Sequence, residues 1–185
     1  MTDPGQFTED AFLGGQLRLR QRKSGHRAGH DAMLLAAATP ARSGNRVVDF
    51  GAGVGAAGLA VARRVAGIEL ALVEIDQGLA DFARGNAASN AIAADVIVLD
   101  VTSAADAFAA VGLSPDSADV VLMNPPFNDA LRHRASPDKI REIAHIAPPG
   151  TLERRTLNSF GGPGHFFIRL SGSMTSWRPE SFHLK

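Results

Sequence analysis

Hydrophobic and polar residues alternate along the middle of the chain in two different periods. Short apolar runs predict buried strands at 46–50, 68–75, 95–101 and 118–124. Segments with apolar residues at helical spacing separate these strands, at 56–65, 78–89 and 104–112. Strands that alternate with helices form right-handed βαβ units. The pattern therefore predicts an α/β fold with a doubly wound parallel sheet.

The two ends of the chain depart from this alternation. The N-terminal part has one helical pattern, at 30–38, with Asp31 as its predicted N-cap. The C-terminal part, 151–185, contains no Ala, Val or Asp, and only its segment 165–170 has the pattern of a strand. We therefore predict three parts: an N-terminal extension (1–45), a central domain (46–150) and an atypical tail (151–185).

Composition narrows the class of protein. The chain of 185 residues is 45% hydrophobic, and its 19 basic and 19 acidic residues balance, so nothing attracts the whole molecule to nucleic acid or membrane. It has no cysteine, which excludes disulfides and thiolate metal sites. No apolar run approaches the roughly 18 residues of a membrane span, and the first ten residues lack the pattern of a signal peptide. We expect a cytoplasmic protein without a membrane span, and without a metal site because His26 and His30 have no third ligand.

Basic residues cluster at 18–30, which carries five Lys or Arg, two His and no acid. One interpretation is contact with the phosphates of a nucleic acid. The other is a solvated edge strand that its charges protect from aggregation. The sequence leaves both open.

Two asparagines, Asn86 and Asn90, lie one helical turn apart at the end of the predicted helix 78–89. The spacing favours a role in covering the end of the helix over a role in ligand binding.

A glycine-rich turn follows the first predicted strand, in "VVDFGAGVGAAGLA" (47–60). Gly53, Gly55 and Gly58 have the G-x-G-x-x-G spacing of dinucleotide-binding loops. Gly51, Gly53 and Gly55 have the G-x-G-x-G spacing of S-adenosylmethionine (SAM) loops. Either set lets the backbone approach a ligand at the carboxyl end of the strand. A purely structural turn is the third interpretation.

Acidic residues near the ends of the predicted strands favour SAM. Asp49 precedes the glycines, where its charge would repel a pyrophosphate but suit the ammonium and sulfonium groups of SAM. Glu74, at the end of the second strand, can accept hydrogen bonds from a ribose diol. Asp100, at the end of the third strand, can accept one from an adenine amine, with Val101 offering its backbone N–H. We therefore predict SAM as the cofactor.

The fourth predicted strand ends in "NPPF", Asn124 to Phe127. Proline cannot donate to a sheet ladder, so the strand must stop there. The Asn124 side-chain oxygen and the Pro125 carbonyl can accept both hydrogens of an exocyclic aromatic amine and turn its lone pair towards the methyl group of SAM. Pro126 holds the residue before it in an extended conformation, and Phe127 offers a flat face to a base. The motif predicts a substrate clamp that acts by positioning.

These motifs resemble the amino-methyltransferases of the class I SAM-dependent superfamily, which carry (Asn/Asp)-Pro-Pro-(Phe/Tyr). More narrowly, the stretches 12–38, 47–60 and 120–145 resemble the bacterial tRNA adenine-N6 methyltransferases that modify the base beside the anticodon of a valine tRNA. The resemblance implies a Rossmann-like sheet, SAM as cofactor, and methyl transfer to an adenine amine of tRNA.

The resemblance also implies roles for particular residues. Those that contact or border SAM are Asp31, Asp49, Gly51, Gly53, Gly55, Glu74, Asp100 and Val101. Those that hold the target base are Asn124, Pro125, Pro126 and Phe127. Arg132, His133 and Arg134 are implied either to touch RNA phosphate or to lie in a solvated loop.

The predicted sheet has fewer strands than the sheet of the family that the sequence resembles. The family's sheet has seven strands, whereas this pattern predicts four or five. We therefore expect a C-terminally incomplete fold, with a truncated or frameshifted tail and with low stability and activity. Three alternatives stay open: methylation of a protein glutamine amide, methylation of a guanine N2 amine in ribosomal RNA, and a non-catalytic relative.

Overall fold

The structure is a computed structural model that describes residues 7–25, 27–114 and 117–124, and the backbone of Phe166–Arg169. The described strands are β1 (Phe7–Phe12), β2 (Leu17–Arg22), β3 (Arg46–Phe50), β4 (Glu69–Glu74), β5 (Asp95–Val98), β6 (Val120–Met123) and β7 (Phe166–Arg169). The described helices are α1 (His30–Ala38), α2 (Ala56–Arg64), α3 (Gln77–Ser89) and α4 (Ala105–Ala110). Within the described ranges no helix is long and apolar enough to cross a membrane.

Five strands form one parallel sheet in the order β5-β4-β3-β6-β7. In the middle strand, Val48 lies opposite Ala71 of β4 and Val121 of β6. The chain adds β4 and β5 on one side of β3 and β6 on the other, so the strand order reverses beside β3. In open α/β sheets this switch point is where ligands bind. The prediction of a doubly wound parallel α/β sheet is confirmed, and the predicted strand within 165–170 is present as β7, whose backbone pairs with β6.

Side chains alternate between the two faces of the sheet, and each face has its own core. Val47 and Leu72 belong to the larger core, which β2, α1, α2 and α3 cover. Val48 belongs to the smaller core, to which α4 contributes Phe108. The Phe108 ring meets the Phe50 ring edge to face, with 5.9 Å between centroids. Helices thus cover both faces, as the alternation of strands and helices requires.

The basic cluster begins in β2, which pairs antiparallel with β1 to form a separate two-stranded sheet. We call β1 and β2 together the N-terminal hairpin. Leu17 and Leu19 are fully buried, whereas Arg18 and Arg20, which alternate with them, are exposed. The arginines therefore lie on a solvated strand, and contact of this cluster with phosphate stays a prediction.

Two predicted boundaries are wrong, the end of β5 and the start of α1. β5 ends at Val98 rather than 101, so Asp100 does not end a strand. Its Oδ1 accepts hydrogen bonds from the Thr102 N–H and hydroxyl, at 2.7 and 2.8 Å, which turns the chain out of the sheet. Asp31 is not the N-cap of α1, because Gly29 occupies that position and Asp31 lies in the first turn. There its charge still favours the positive end of the helix.

Candidate active site

The carboxyl ends of β3, β4 and β6 bring three predicted site elements to one edge of the sheet. The glycine loop, defined here as residues 51–55, follows β3 directly. Glu74 is the last residue of β4, and Asn124 is the first residue after β6. Phe50 and Met123 are register partners, so Gly51 and Asn124 leave the sheet side by side. The elements predicted to bind cofactor and acceptor therefore meet at the switch point.

The glycine loop depends on backbone conformations that other residues rarely adopt. Gly51, Gly53 and Gly55 have φ of 69°, 58° and 86°. The N–H groups of Gly51 and Ala52 both donate to the Val73 carbonyl, at 2.9 and 3.0 Å. A Cβ added to Gly51 or Gly53 would meet no atom within 4 Å, so it is backbone geometry and not crowding that selects glycine there. The space beside the loop is room in which a ligand can approach the backbone.

Gly58 is selected for a different reason. It lies inside α2, and a Cβ there would come within 2.5 Å of Leu72 Cδ2 and 3.2 Å of Asp49 Oδ2. The third glycine of the dinucleotide-like spacing thus serves the packing of α2 on the sheet. The sequence matches the dinucleotide spacing as well as the SAM spacing only because Gly58, a packing residue of α2, is counted as the third glycine of the dinucleotide spacing.

Asp49 lies beneath the loop and is 2% exposed. Its Oδ2 accepts a hydrogen bond from the Gly58 N–H at 2.9 Å, near the start of α2. Burial raises the pKa of Asp49 to about 7, and the negative charge of Glu74 adds to the rise, while the bond from Gly58 opposes it. In this structure the carboxyl group connects β3 to α2, and its predicted contact with SAM stays a prediction.

Glu74 connects the glycine loop to the turn that leads into α3. Its Oε2 accepts from the Gly53 N–H at 2.8 Å, and its Oε1 accepts from the Asp76 N–H at 2.9 Å. A carboxylate oxygen has two lone pairs, so each retains capacity for a further donor such as a ribose hydroxyl. Glu74 therefore both shapes the loop and offers acceptors beside it.

The remaining predicted cofactor residues are Asp100, Val101 and Asp31. The Leu99 N–H donates to the Glu74 carbonyl at 3.1 Å, which places the turn holding Asp100 and Val101 next to Glu74. Asp31 is exposed in the first turn of α1, its side chain makes no hydrogen bond or ion pair with any described residue, and its predicted place beside the cofactor stays a prediction. Within the described parts of the chain, no three His, Asp or Glu side chains gather closely enough to hold a metal ion.

Asn124 differs from the other polar groups of the site. Its Oδ1 is buried, yet it has no hydrogen-bond partner among the described residues. A buried polar atom without a partner is unfavourable by about 1–3 kcal/mol, and such groups in proteins often serve a ligand. The rest of the predicted clamp (Pro125, Pro126 and Phe127) and the basic residues Arg132, His133 and Arg134 lie outside the described residues.

The prediction that both amides cover the end of the helix is confirmed for Asn90 and wrong for Asn86. Asn90 does cover the end of α3, since its Nδ2 donates to the Asn86 carbonyl at 2.8 Å. Asn86, however, bonds across to Arg20 of β2 and to the Val54 carbonyl in the glycine loop. The spacing of the two amides marks one face of a helix, but the sequence carries no signal for partners so distant along the chain.

Comparison with known proteins assigns the chain to a protein family. Residues 24–147, two thirds of the chain, match the family described as "Methyltransferase small domain". The chain belongs to this family. The match includes α1, the glycine loop, Glu74 and Asn124, so an acid and the amide of the candidate site lie within it. The predicted enzyme class, methyltransferase, and the predicted cofactor, SAM, are therefore confirmed at the level of the family.

The chain is also similar to curated methyltransferases. "Ribosomal RNA small subunit methyltransferase C" of Pseudomonas aeruginosa (strain LESB58) is 31% identical over 130 residues, which cover 69% of this chain and 36% of the relative. The protein of the same name from Stutzerimonas stutzeri (strain A1501) is 31% identical over 120 residues, covering 63% and 33%. The chain thus spans about a third of the length of these relatives. Neither is named as a tRNA adenine methyltransferase, so that narrower assignment is not supported by them.

A solved structure supports the fold independently of sequence. The tRNA (uracil-54, C5)-methyltransferase of Pyrococcus abyssi, solved with S-adenosyl-L-homocysteine, superposes with a TM-score of 0.57 at 17% identity. The superposition covers 89% of this chain and 34% of that one. At this identity the likeness concerns the Rossmann-like fold alone.

Proposed function

We propose that the protein transfers a methyl group from SAM to an exocyclic amine of an RNA base. The observation that carries the proposal is the buried Asn124 Oδ1, unpartnered among the described residues and adjacent to the glycine loop. An amine hydrogen would give this oxygen the partner that the described residues do not supply. An alkyl or carbonyl acceptor would not.

The chemistry requires alignment more than a strong base. The amine nitrogen of an aromatic base is a poor nucleophile because its lone pair is delocalised into the ring. Asn124 Oδ1 and the Pro125 carbonyl would accept the two amine hydrogens and orient the lone pair. SAM bound at the glycine loop would supply a methyl group on its sulfonium and leave as the neutral thioether, and the methylated amine would lose one proton to solvent. Positioning of this kind can account for a large part of an enzyme's rate.

The residues around the loop suit a cationic cofactor. Glu74 places a carboxylate beside the loop, where a pyrophosphate would be disfavoured. Asp49, whose pKa burial raises to about 7, adds a negative charge beneath the loop only as the pH rises through neutrality. Glu74, with lone pairs remaining on both oxygens, would accept hydrogen bonds from the ribose hydroxyls of SAM. Asp100, in the adjoining turn, would accept a hydrogen bond from the adenine amine of SAM.

Two RNA acceptors have support. The sequence "NPPFND" with its basic continuation favours an adenine N6 of tRNA. The similar curated proteins are named for small-subunit ribosomal RNA, which favours ribosomal RNA and, among its exocyclic amines, the guanine N2. Both acceptors offer the same two hydrogens to Asn124, so the clamp alone does not choose between them.

The test is methylation by the 185-residue chain with tritiated SAM, using unmodified tRNA and unmodified small-subunit ribosomal RNA in parallel. Nucleoside analysis would identify the product as N6-methyladenosine or N2-methylguanosine. We expect Asn124→Ala to lower incorporation about 10²-fold, while Asn45→Ala does not. Asn45 serves as control because it lies just before β3, at the opposite edge of the sheet. Incorporation that is unchanged in Asn124→Ala would contradict the proposal.

A further inference from the structure

Asparagines 86 and 90 of α3 hold the free edge of β2. Asn86 Oδ1 accepts from the Arg20 N–H at 2.7 Å, and its Nδ2 donates to the Arg20 carbonyl at 3.1 Å. Asn90 does the same for Arg18, at 3.0 and 2.6 Å. Each side-chain amide thus acts as the peptide group of a neighbouring strand would.

The spacing of these amides explains why a helix can replace a strand here. Two residues of a strand advance about 6.4–6.8 Å, and four residues of a helix advance about 6 Å. Arg18 and Arg20, two apart in β2, therefore match Asn86 and Asn90, four apart in α3. The N-terminal hairpin is held to the domain through this edge as well as through its buried leucines.

The two amides differ in where the second Nδ2 hydrogen goes. In Asn90 it donates to the Asn86 carbonyl at 2.8 Å, within α3 itself. In Asn86 it donates to the Val54 carbonyl at 2.9 Å, inside the glycine loop. Asn86 is 0% exposed, so water cannot replace a bond that it loses. One side chain thus bonds both the hairpin and the loop.

The glycine loop has other supports that do not involve the hairpin. Val73 holds its first residues, and Glu74 holds the Gly53 N–H. These supports come from β4 and fix one side of the loop. The bond from Asn86 to Val54 fixes the loop towards α3, between Gly53 and Gly55. The glycines impose little conformational restriction of their own, so the loop depends on such outside bonds.

We infer that Asn86 is a positioning residue: it fixes the glycine loop to the N-terminal hairpin, so that the hairpin helps to set the loop geometry that SAM binding requires. The effect on SAM rests on the proposed function of the loop. The coupling between hairpin and loop does not.

The test compares Asn86→Ala with Asn90→Ala in the 185-residue chain. Each variant removes two bonds to β2. Asn86→Ala also removes the bond to Val54, and Asn90→Ala also removes the bonds within α3 to the Asn86 carbonyl and, at 3.5 Å, to the Ser89 hydroxyl. The variants differ in whether a lost bond ends in the glycine loop, which makes Asn90→Ala a matched control. Hydrogen exchange of the peptide covering 51–58 is measured without cofactor, and the Kd for SAM is measured by titration at a temperature where both variants are folded.

We expect Asn86→Ala to speed exchange in the loop peptide, and to raise the Kd for SAM, by about three- to tenfold relative to Asn90→Ala, as the loss of one hydrogen bond predicts. If Asn86→Ala does not fold, loop exchange is compared between Asn86→Asp and Asn90→Asp. An ionised Asp keeps the oxygen that accepts from β2 and lacks the Nδ2 group that donates to Val54 in the case of Asn86. Equal loop exchange in the two variants would overturn the inference. Failure of the unaltered chain to bind SAM would count against the proposed function alone, because loop exchange is measured without cofactor.

Discussion

The cofactor side and the acceptor side of the site treat their polar groups differently. Asp49 and Glu74, below and beside the glycine loop, each already accept backbone N–H groups. Asn124, at the end of β6, has a buried oxygen with no partner among the described residues. On the proposed assignment, the cofactor side is therefore organised before any ligand arrives, whereas the described part of the acceptor side supplies no hydrogen-bond donor to Asn124 Oδ1. We expect this asymmetry in a site whose cofactor pocket is formed before binding and whose acceptor contact forms only when the substrate binds.

The largest expected effect concerns the buried acid on the cofactor side. Burial raises the pKa of Asp49 from 3.8 to about 7 in the folded protein, so the folded state holds its proton more tightly than the unfolded state does. The stability this provides is present below the unfolded pKa and is lost as pH rises towards 7. We expect the free energy of unfolding to fall, relative to Asp49→Asn, by up to about 1.4 kcal/mol per pH unit between pH 4 and 7.

Urea denaturation across that pH range measures this difference. Asp95→Asn is the control, because Asp95 is exposed at the start of β5. A parallel pH dependence in the Asp49→Asn variant and the unaltered chain would mean that Asp49 is ionised throughout. The cofactor side would then hold an ionised carboxylate at Asp49 instead of a protonated carboxyl group.

The next effect concerns the acceptor side. Asn124→Ala removes the oxygen that would hold the acceptor amine, without touching the bonds that shape the glycine loop. We expect turnover to fall about 10²-fold, the size of effect that follows from misplacing a reacting group, while the Kd for SAM changes less than about twofold. Single-turnover methylation and titration of SAM separate the two quantities. A matched loss of both would place Asn124 on the cofactor side and remove the asymmetry.

Packing beneath the cofactor side should have a smaller effect. The Cβ of Gly58→Ala would lie 2.5 Å from Leu72 Cδ2, and overpacking of this kind lowers stability by about 1–3 kcal/mol. Gly85→Ala is the matched control, because Gly85 is also in a helix but has nothing within 4 Å of an added Cβ. There we expect a gain of up to about 1 kcal/mol from helix propensity. Denaturation midpoints with unchanged m-values would measure both, and a neutral Gly58→Ala would show that α2 can shift on the sheet.

Much of the fold could be predicted because local periodicity determines it. The apolar runs at β3, β4 and β6 and the helical spacing of α2 and α3 are properties of neighbouring residues. Predictions failed where a side chain competes locally with the regular structure. Asp100 binds the Thr102 N–H and hydroxyl, which ends β5 early even though Leu99 and Val101 continue an apolar pattern.

The site could be predicted in part for the same reason. Glycine spacing and strand ends identified the loop, Glu74 and Asn124, since parallel strands bring their carboxyl ends to one edge. The role of Asn86 could not be found in this way. Its partners, Arg20 and Val54, are 66 and 32 residues away, and an asparagine in a helix gives no sign of which distant backbone group it bonds. The orientation of Asp49 towards Gly58 likewise depends on how α2 packs.

The smallest expected effect tests whether charge, beyond geometry, organises the cofactor side. Glu74→Gln keeps the shape of the side chain but leaves one acceptor oxygen for two backbone N–H groups, those of Gly53 and Asp76. We expect the Kd for SAM to rise about tenfold, equivalent to about 1.4 kcal/mol. Glu69→Gln, at the exposed start of the same strand, should leave it unchanged. Because the charge of Glu74 contributes to the raised pKa of Asp49, the pH dependence of unfolding should also weaken in Glu74→Gln. A raised Kd with an unaltered pH dependence would assign Glu74 to the geometry of the loop alone, and Asp49 would then owe its pKa to burial.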